Sequence, residues 1–77
     1  MIVTVQCYTE MKRYAPAGRD TFDLEISNGS RVGHILQQLG IPEDNPPLIT
    51  VNGDRANRDT PLSNDDVVIL FVPSEGG

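Results

Sequence analysis

The segment Val67-Val68-Ile69-Leu70-Phe71-Val72 restricts the fold of this chain more than any other. It is a continuous apolar run of strand length, rich in β-branched and aromatic residues. A strand with two apolar faces belongs in the middle of a sheet, so the rest of the sequence must supply strands on both sides and an element to pack on it. With 77 residues in total, a body of this size buries only about 60% of its unfolded surface. One domain spanning residues 1–77 is expected, with no deep, walled cleft.

The neighbouring strands can be read from alternation. Ile2 to Tyr8 is β-rich, with Val3, Val5 and Cys7 on one face, and Phe22-Asp23-Leu24-Glu25-Ile26 alternates apolar with acidic residues. These two predict an antiparallel hairpin. The stretch between them, Thr9 to Thr21, has no sustained period and reads as an extended, exposed connection. After Asn28-Gly29, Ser30 is the expected N-cap of a short helix in which Val32, Ile35, Leu36 and Leu39 recur at helical spacing. Gly40 supplies a left-handed stop, Ile41 folds back, and Pro42 prevents continuation. Leu48 to Val51 is a third strand ending at the turn dipeptide Asn52-Gly53, and Arg55 and Ala56 begin a short return. Strand, strand, helix, strand, short strand, strand is the β-grasp (ubiquitin-like) order, an α+β fold. It implies a mixed sheet of four to five strands with one main helix on one face, and first and last strands parallel at its centre. If Val68, Leu70 and Val72 face the helix, Ile69 and Phe71 lie on the opposite, open face as a docking surface.

Charge and composition exclude several functions. Six Lys and Arg against eleven Asp and Glu give a net charge of −5, and no basic cluster could neutralise a row of phosphates, so nucleic acid is not expected as a partner. An acidic body suits basic clefts on proteins, or simply keeps a small domain soluble. No run of about 18 apolar residues is available to span a membrane, and Met1 to Thr9 lacks a basic region preceding an apolar stretch. A cytoplasmic location is expected. Cys7 is the only cysteine and His34 the only histidine. An internal disulfide and a thiolate metal cluster are therefore excluded, with Cys7 expected in the core and His34 on the helix flank. Lys12 is the only lysine.

The chain closes with Pro73-Ser74-Glu75-Gly76-Gly77, expected to be a flexible tail. A final Gly-Gly arises by chance in roughly one chain in 200, so by itself it says little. Set a few residues beyond a central strand, it becomes a narrow arm whose missing side chains let enzyme groups approach the backbone closely. A carboxylate is a poor acyl donor and must first be activated, most simply as an acyl-adenylate from ATP. The chain has no phosphate-binding GxxxxGK[ST] loop and no Ser/His/Asp set. That chemistry would reside in a partner enzyme.

Val51-Asn52-Gly53, Asp59-Thr60-Pro61-Leu62, Asp66 through Pro73 and the terminal Gly76-Gly77 together resemble the MoaD/ThiS family of ubiquitin-like sulfur carriers. The long Thr9 to Thr21 connection is more similar to the small subunit of molybdopterin synthase than to the thiamine carriers. The resemblance implies a non-catalytic carrier whose C-terminal Gly77 is adenylated, converted to a thiocarboxylate, and then gives up sulfur in molybdopterin biosynthesis. It implies no bound cofactor, with ATP consumed by the activating enzyme. The implied partners are an adenylating enzyme of the ubiquitin-activating type and the large subunit of molybdopterin synthase, or an equivalent sulfur acceptor. Gly76, Glu75, Phe71, Ile69 and Arg55 are the implied partner contacts. Asp65 stands where the family turn has glycine, Glu75 adds a charge before the diglycine, and Arg55 replaces an apolar contact residue. Sulfur delivery to thiamine or another pathway, conjugation to protein lysines, and a plain interaction module with an incidental Gly-Gly end are the alternatives.

Overall fold

A computed structural model describes residues 1–44 and 46–73 of the chain. Five strands, β1 (Ile2–Cys7), β2 (Thr21–Glu25), β3 (Leu48–Val51), β4 (Asp54–Ala56) and β5 (Val67–Phe71), form one sheet in the order β2-β1-β5-β3-β4. Helix α1 (Val32–Leu39) supplies the cover. Strand β1 pairs antiparallel with β2 and parallel with β5, and β3 pairs antiparallel with both β5 and β4. The apolar run therefore occupies the centre of a mixed sheet, as its composition requires.

Alternation fixes which residues enter the core. Val3, Val5 and Cys7 of β1 and Val68 and Leu70 of β5 are fully buried against Val32, Ile35 and Leu36 of α1. Phe22, Ile49 and Val51 complete this layer from the flanking strands. The helix stops as expected: Gly40 adopts φ 77°, and the Ile41 amide donates back to Leu36 O at 2.9 Å while its side chain is buried.

Two expectations are corrected. Ser30 is not the N-cap; it is buried, its hydroxyl donates to Ser27 O at 2.7 Å, and the helix starts two residues later. The first amides of α1 are taken by a distant loop, Val32 N–H by Thr60 O (3.0 Å) and Gly33 N–H by Arg58 O (2.8 Å). The capping side chain is His34, whose Nδ1 accepts the Arg31 amide at 2.9 Å. The Thr9 to Thr21 connection is also not simply extended. It contains two 3₁₀ turns, Thr9–Tyr14 and Pro16–Gly18, and sends Met11 into the core.

The turn after β3 is tied to the start of β5. Asn52 and Gly53 take φ 53° and 88°, the pairing a tight hairpin needs. Asn52 Oδ1 accepts the Val67 amide at 2.9 Å, and its Nδ2 donates to Asp66 Oδ1 at 2.9 Å. The other Asp66 oxygen accepts the Ser63 amide at 2.8 Å. Asp65, at φ 70°, occupies the left-handed conformation that a glycine would otherwise supply. Asn52→Ala removes two side-chain bonds and forces alanine into a left-handed conformation. A loss of about 2–3 kcal/mol is expected in urea unfolding, with Asn52→Gly losing less because it accepts the backbone angle.

Candidate functional site

Among the described residues, no α-helix other than α1 is present to cover the opposite face of the sheet. On β5, Val67, Ile69 and Phe71 have the phase opposite to buried Val68 and Leu70, and all three are half-buried. Strand register extends this into rows. Ile69 lies between Gln6 of β1 and Thr50 of β3, with Arg55 of β4 next to Thr50. Leu48 lies beside Phe71. Tyr8 follows the phase of Thr4 and Gln6, is 44% exposed, and donates its hydroxyl to Gln6 Oε1 at 3.1 Å.

Ile69, Phe71 and Arg55 thus share one face, with the apolar residues toward the centre and the exposed Arg55 on an edge strand. The opposite edge is acidic: Asp23 and Glu25 of β2 share this face, and Asp23 Oδ1 accepts the Thr4 hydroxyl at 3.1 Å. Phe71 is less exposed than a freely presented side chain, because Leu48 lies directly beside it in the register. Tyr8 and Leu48 were not among the residues singled out from sequence. The signal for Tyr8 was there, since it is out of phase with Cys7 next to it.

The end of β5 brings the tail to the same corner. Tyr8 N–H donates to Leu70 O at 2.9 Å, the last parallel ladder bond. Beyond Phe71, the main chain of Val72 is held by the Thr9 side chain: Val72 N–H donates to Thr9 Oγ1 at 3.0 Å, and Val72 O lies 3.1 Å from the same hydroxyl. Pro73 is exposed, and the chain leaves the sheet there, next to Phe71 and Leu48. Glu75, Gly76 and Gly77 lie outside the described residues.

Other chemistry-bearing side chains are occupied elsewhere. Cys7 is fully buried, and desolvation, followed by the nearby Asp20 charge, pushes its thiol up from the ordinary range. It is thereby kept protonated and a poor nucleophile at neutral pH. His34 spends Nδ1 on the helix start. Lys12 Nζ sits 3.5 Å from Asp20 Oδ2 in an exposed pair. Among the described residues, no helix is long and apolar enough to cross a membrane.

A mixed five-stranded sheet with one main helix, and a chain that leaves the central strand at Pro73 beside the face opposite that helix, is the ubiquitin-like β-grasp architecture. The chain belongs to the ThiS family, whose profile matches residues 7–77. No curated protein matches it. Among solved structures, SAMP1 from Haloferax volcanii is similar over the full length of both chains, with a TM-score of 0.81 and 19% identity. A Pyrococcus furiosus protein assigned as molybdopterin converting factor, subunit 1, is 25% identical, covering 95% of this chain and 98% of that one, with a TM-score of 0.76. Subunits 1 and 2 of the Helicobacter pylori molybdopterin-converting factor form a complex, and a chain of that structure matches over the full length of both chains at 23% identity and a TM-score of 0.65. These likenesses establish the ubiquitin-like fold and the MoaD/ThiS relationship.

Proposed function

We propose that this chain is a sulfur carrier for molybdopterin synthesis, the step that builds the pterin ligand of molybdenum or tungsten. The observation supporting this reading is the exit of the chain at Val72 and Pro73 beside a sheet face whose centre, at Ile69, Phe71 and Leu48, is apolar. A partner that docks on Phe71, Ile69 and the edge residue Arg55 has the start of the tail within its footprint. From Pro73 to Gly77 the chain can span at most about 14 Å, long enough to enter a cleft beside the docked face.

The chemistry follows from the functional group. The Gly77 carboxylate attacks the α-phosphorus of ATP on the adenylating enzyme, releasing pyrophosphate and leaving an acyl-adenylate. Hydrosulfide displaces AMP to give the thiocarboxylate directly, whereas a persulfide donor gives an acyl disulfide whose S–S bond a thiol then cleaves; the thiocarboxylate delivers sulfur to the acceptor bound by a large synthase subunit. Gly76 permits close approach in the cleft, and Glu75 calls for a basic group in the channel wall. The Pyrococcus furiosus relative, assigned as molybdopterin converting factor subunit 1, favours the pterin pathway over thiamine.

Docking is tested by Phe71→Arg in a pyrophosphate-release assay with ATP and a MoaD/ThiS-type adenylating enzyme. A central aromatic contact is worth about 2 kcal/mol or more, so KM should rise roughly 30-fold or more. Fold stability should change by no more than about 1 kcal/mol, since only a cross-strand pair with Leu48 is lost and the arginine stem covers part of the same surface. An unchanged KM would place the docking surface elsewhere.

A further inference from the structure

We infer that Thr9 is a positioning residue, whose hydroxyl fixes the point from which the C-terminal segment leaves the sheet. The inference deepens the proposed function and rests on it. Its basis is the way β1 and β5 end. The parallel ladder finishes with Tyr8 N–H to Leu70 O, and along a strand the main-chain groups of alternate residues point the same way. Those of Val72 therefore point toward β1, as those of Leu70 do. At that level β1 has already turned away into the 3₁₀ segment, where Tyr8 O accepts the Met11 amide at 3.1 Å. Among the described residues, Val72 is left without a main-chain partner.

Thr9 Oγ1 takes that place. A lone pair accepts the Val72 amide at 3.0 Å, while its single proton can go to Val72 O at 3.1 Å or to Tyr8 O at 2.6 Å. To put the hydroxyl there, Thr9 adopts φ 53°, a conformation rare for any residue with a side chain and rarer for a β-branched one. Strain of this kind persists where the surroundings hold it, and it concentrates at functional positions. Here it lies one residue from the tail. With Val72 fixed, the point from which the chain leaves the sheet is set before a partner engages it; without the clamp, Val72 must be ordered on binding as well. Ordering one further backbone unit is expected to raise KM for the adenylating enzyme roughly 5- to 30-fold and leave kcat unchanged.

The test compares Thr9→Val, which keeps the shape and removes the hydroxyl, with Thr9→Ser, which keeps the hydroxyl. Thr9→Gly removes hydroxyl and strain together, and carries the test should the valine variant fold poorly. Amide hydrogen exchange at Val72 should accelerate in the valine and glycine variants and stay slow in the serine variant. The Tyr8 amide serves as an internal control and should keep its protection throughout. Pyrophosphate-release kinetics should show the KM increase in the same two variants and near wild-type values for serine. Equal Val72 exchange in wild type and Thr9→Val overturns the clamp, and faster exchange with KM within twofold overturns its role in delivery. Absence of adenylation of the wild-type chain would instead sink the proposed function, and the clamp would then stand or fall on the Val72 amide alone.

Discussion

Leu70→Ala is expected to lower the free energy of unfolding by about 2–5 kcal/mol. Leu70 is fully buried in the central strand and belongs to the same apolar cluster as Ile35 and Leu36 of the helix and Val5 and Cys7 of β1. A domain of this size has about 4–12 kcal/mol of stability in total. The variant should therefore melt roughly 10–30 °C lower, or be partly unfolded at room temperature. The adjacent position gives the contrast, because Phe71 points to the open face and its replacement by arginine should lower the melting temperature by no more than about 4–8 °C. The two faces of one strand are thus separated by a single pair of thermal scans. Comparable losses at both positions would mean that the face opposite the helix is also covered in solution.

Deleting Gly77 is expected to have the reverse profile, with no change in melting and near-complete loss of function. The hydrogen bonds and core contacts of the described residues run to Val72, held by Thr9, and none of them involves the last residue. The reacting carboxylate, however, retreats by about 3.5 Å. Misplacement of a reacting group by even 1 Å can cost about 100-fold, and a retreat of a whole residue should exceed that. Adenylation of the shortened chain should fall more than about 100-fold when followed by pyrophosphate release. Retained adenylation would show that the activating enzyme does not require the carboxylate at the position Gly77 gives it.

Much of this architecture could be read directly from residue order. The apolar run at Val67 to Val72 called for a central strand, and the alternation in Phe22 to Ile26 and Ile2 to Tyr8 fixed the faces of two more. The helix stop was legible because Gly40, Ile41 and Pro42 act through their own backbone preferences. The helix start was not, because its first amides are satisfied by carbonyls of Arg58 and Thr60, a long way off in sequence. Local chemistry favoured Ser30, and a tertiary contact displaced it. The Thr9 to Tyr14 turn was missed for a related reason: a 3₁₀ segment six residues long has too few turns to impose a period, and only packing shows that Met11 is its inward residue.

The site divides in the same way. Phe71 and Ile69 could be assigned to an open face from alternation alone, and register adds that Arg55 lies in the same row as Ile69 through Thr50. Thr9 carries no signal in the sequence, since its importance lies in a backbone angle and in where β1 happens to stop. The signature Val51-Asn52-Gly53 and Asp66, which carried much of the family resemblance, holds the β3 turn to the start of β5. These residues mark the family through its fold. On the proposed function, the reacting group is the carboxylate of Gly77, which lies outside the described residues.

The proposed function depends most on the Gly77 carboxylate, and intact-mass analysis tests it directly. The chain is incubated with ATP, a MoaD/ThiS-type adenylating enzyme and a sulfur source, then weighed and fragmented from its C-terminus. The account predicts a product in which one oxygen is replaced by sulfur, confined to Gly77 and absent when ATP is withheld. Sulfur recovered on Cys7, a covalent adduct to target lysines in place of the thiocarboxylate, or an unchanged mass under conditions that convert a known carrier would contradict it.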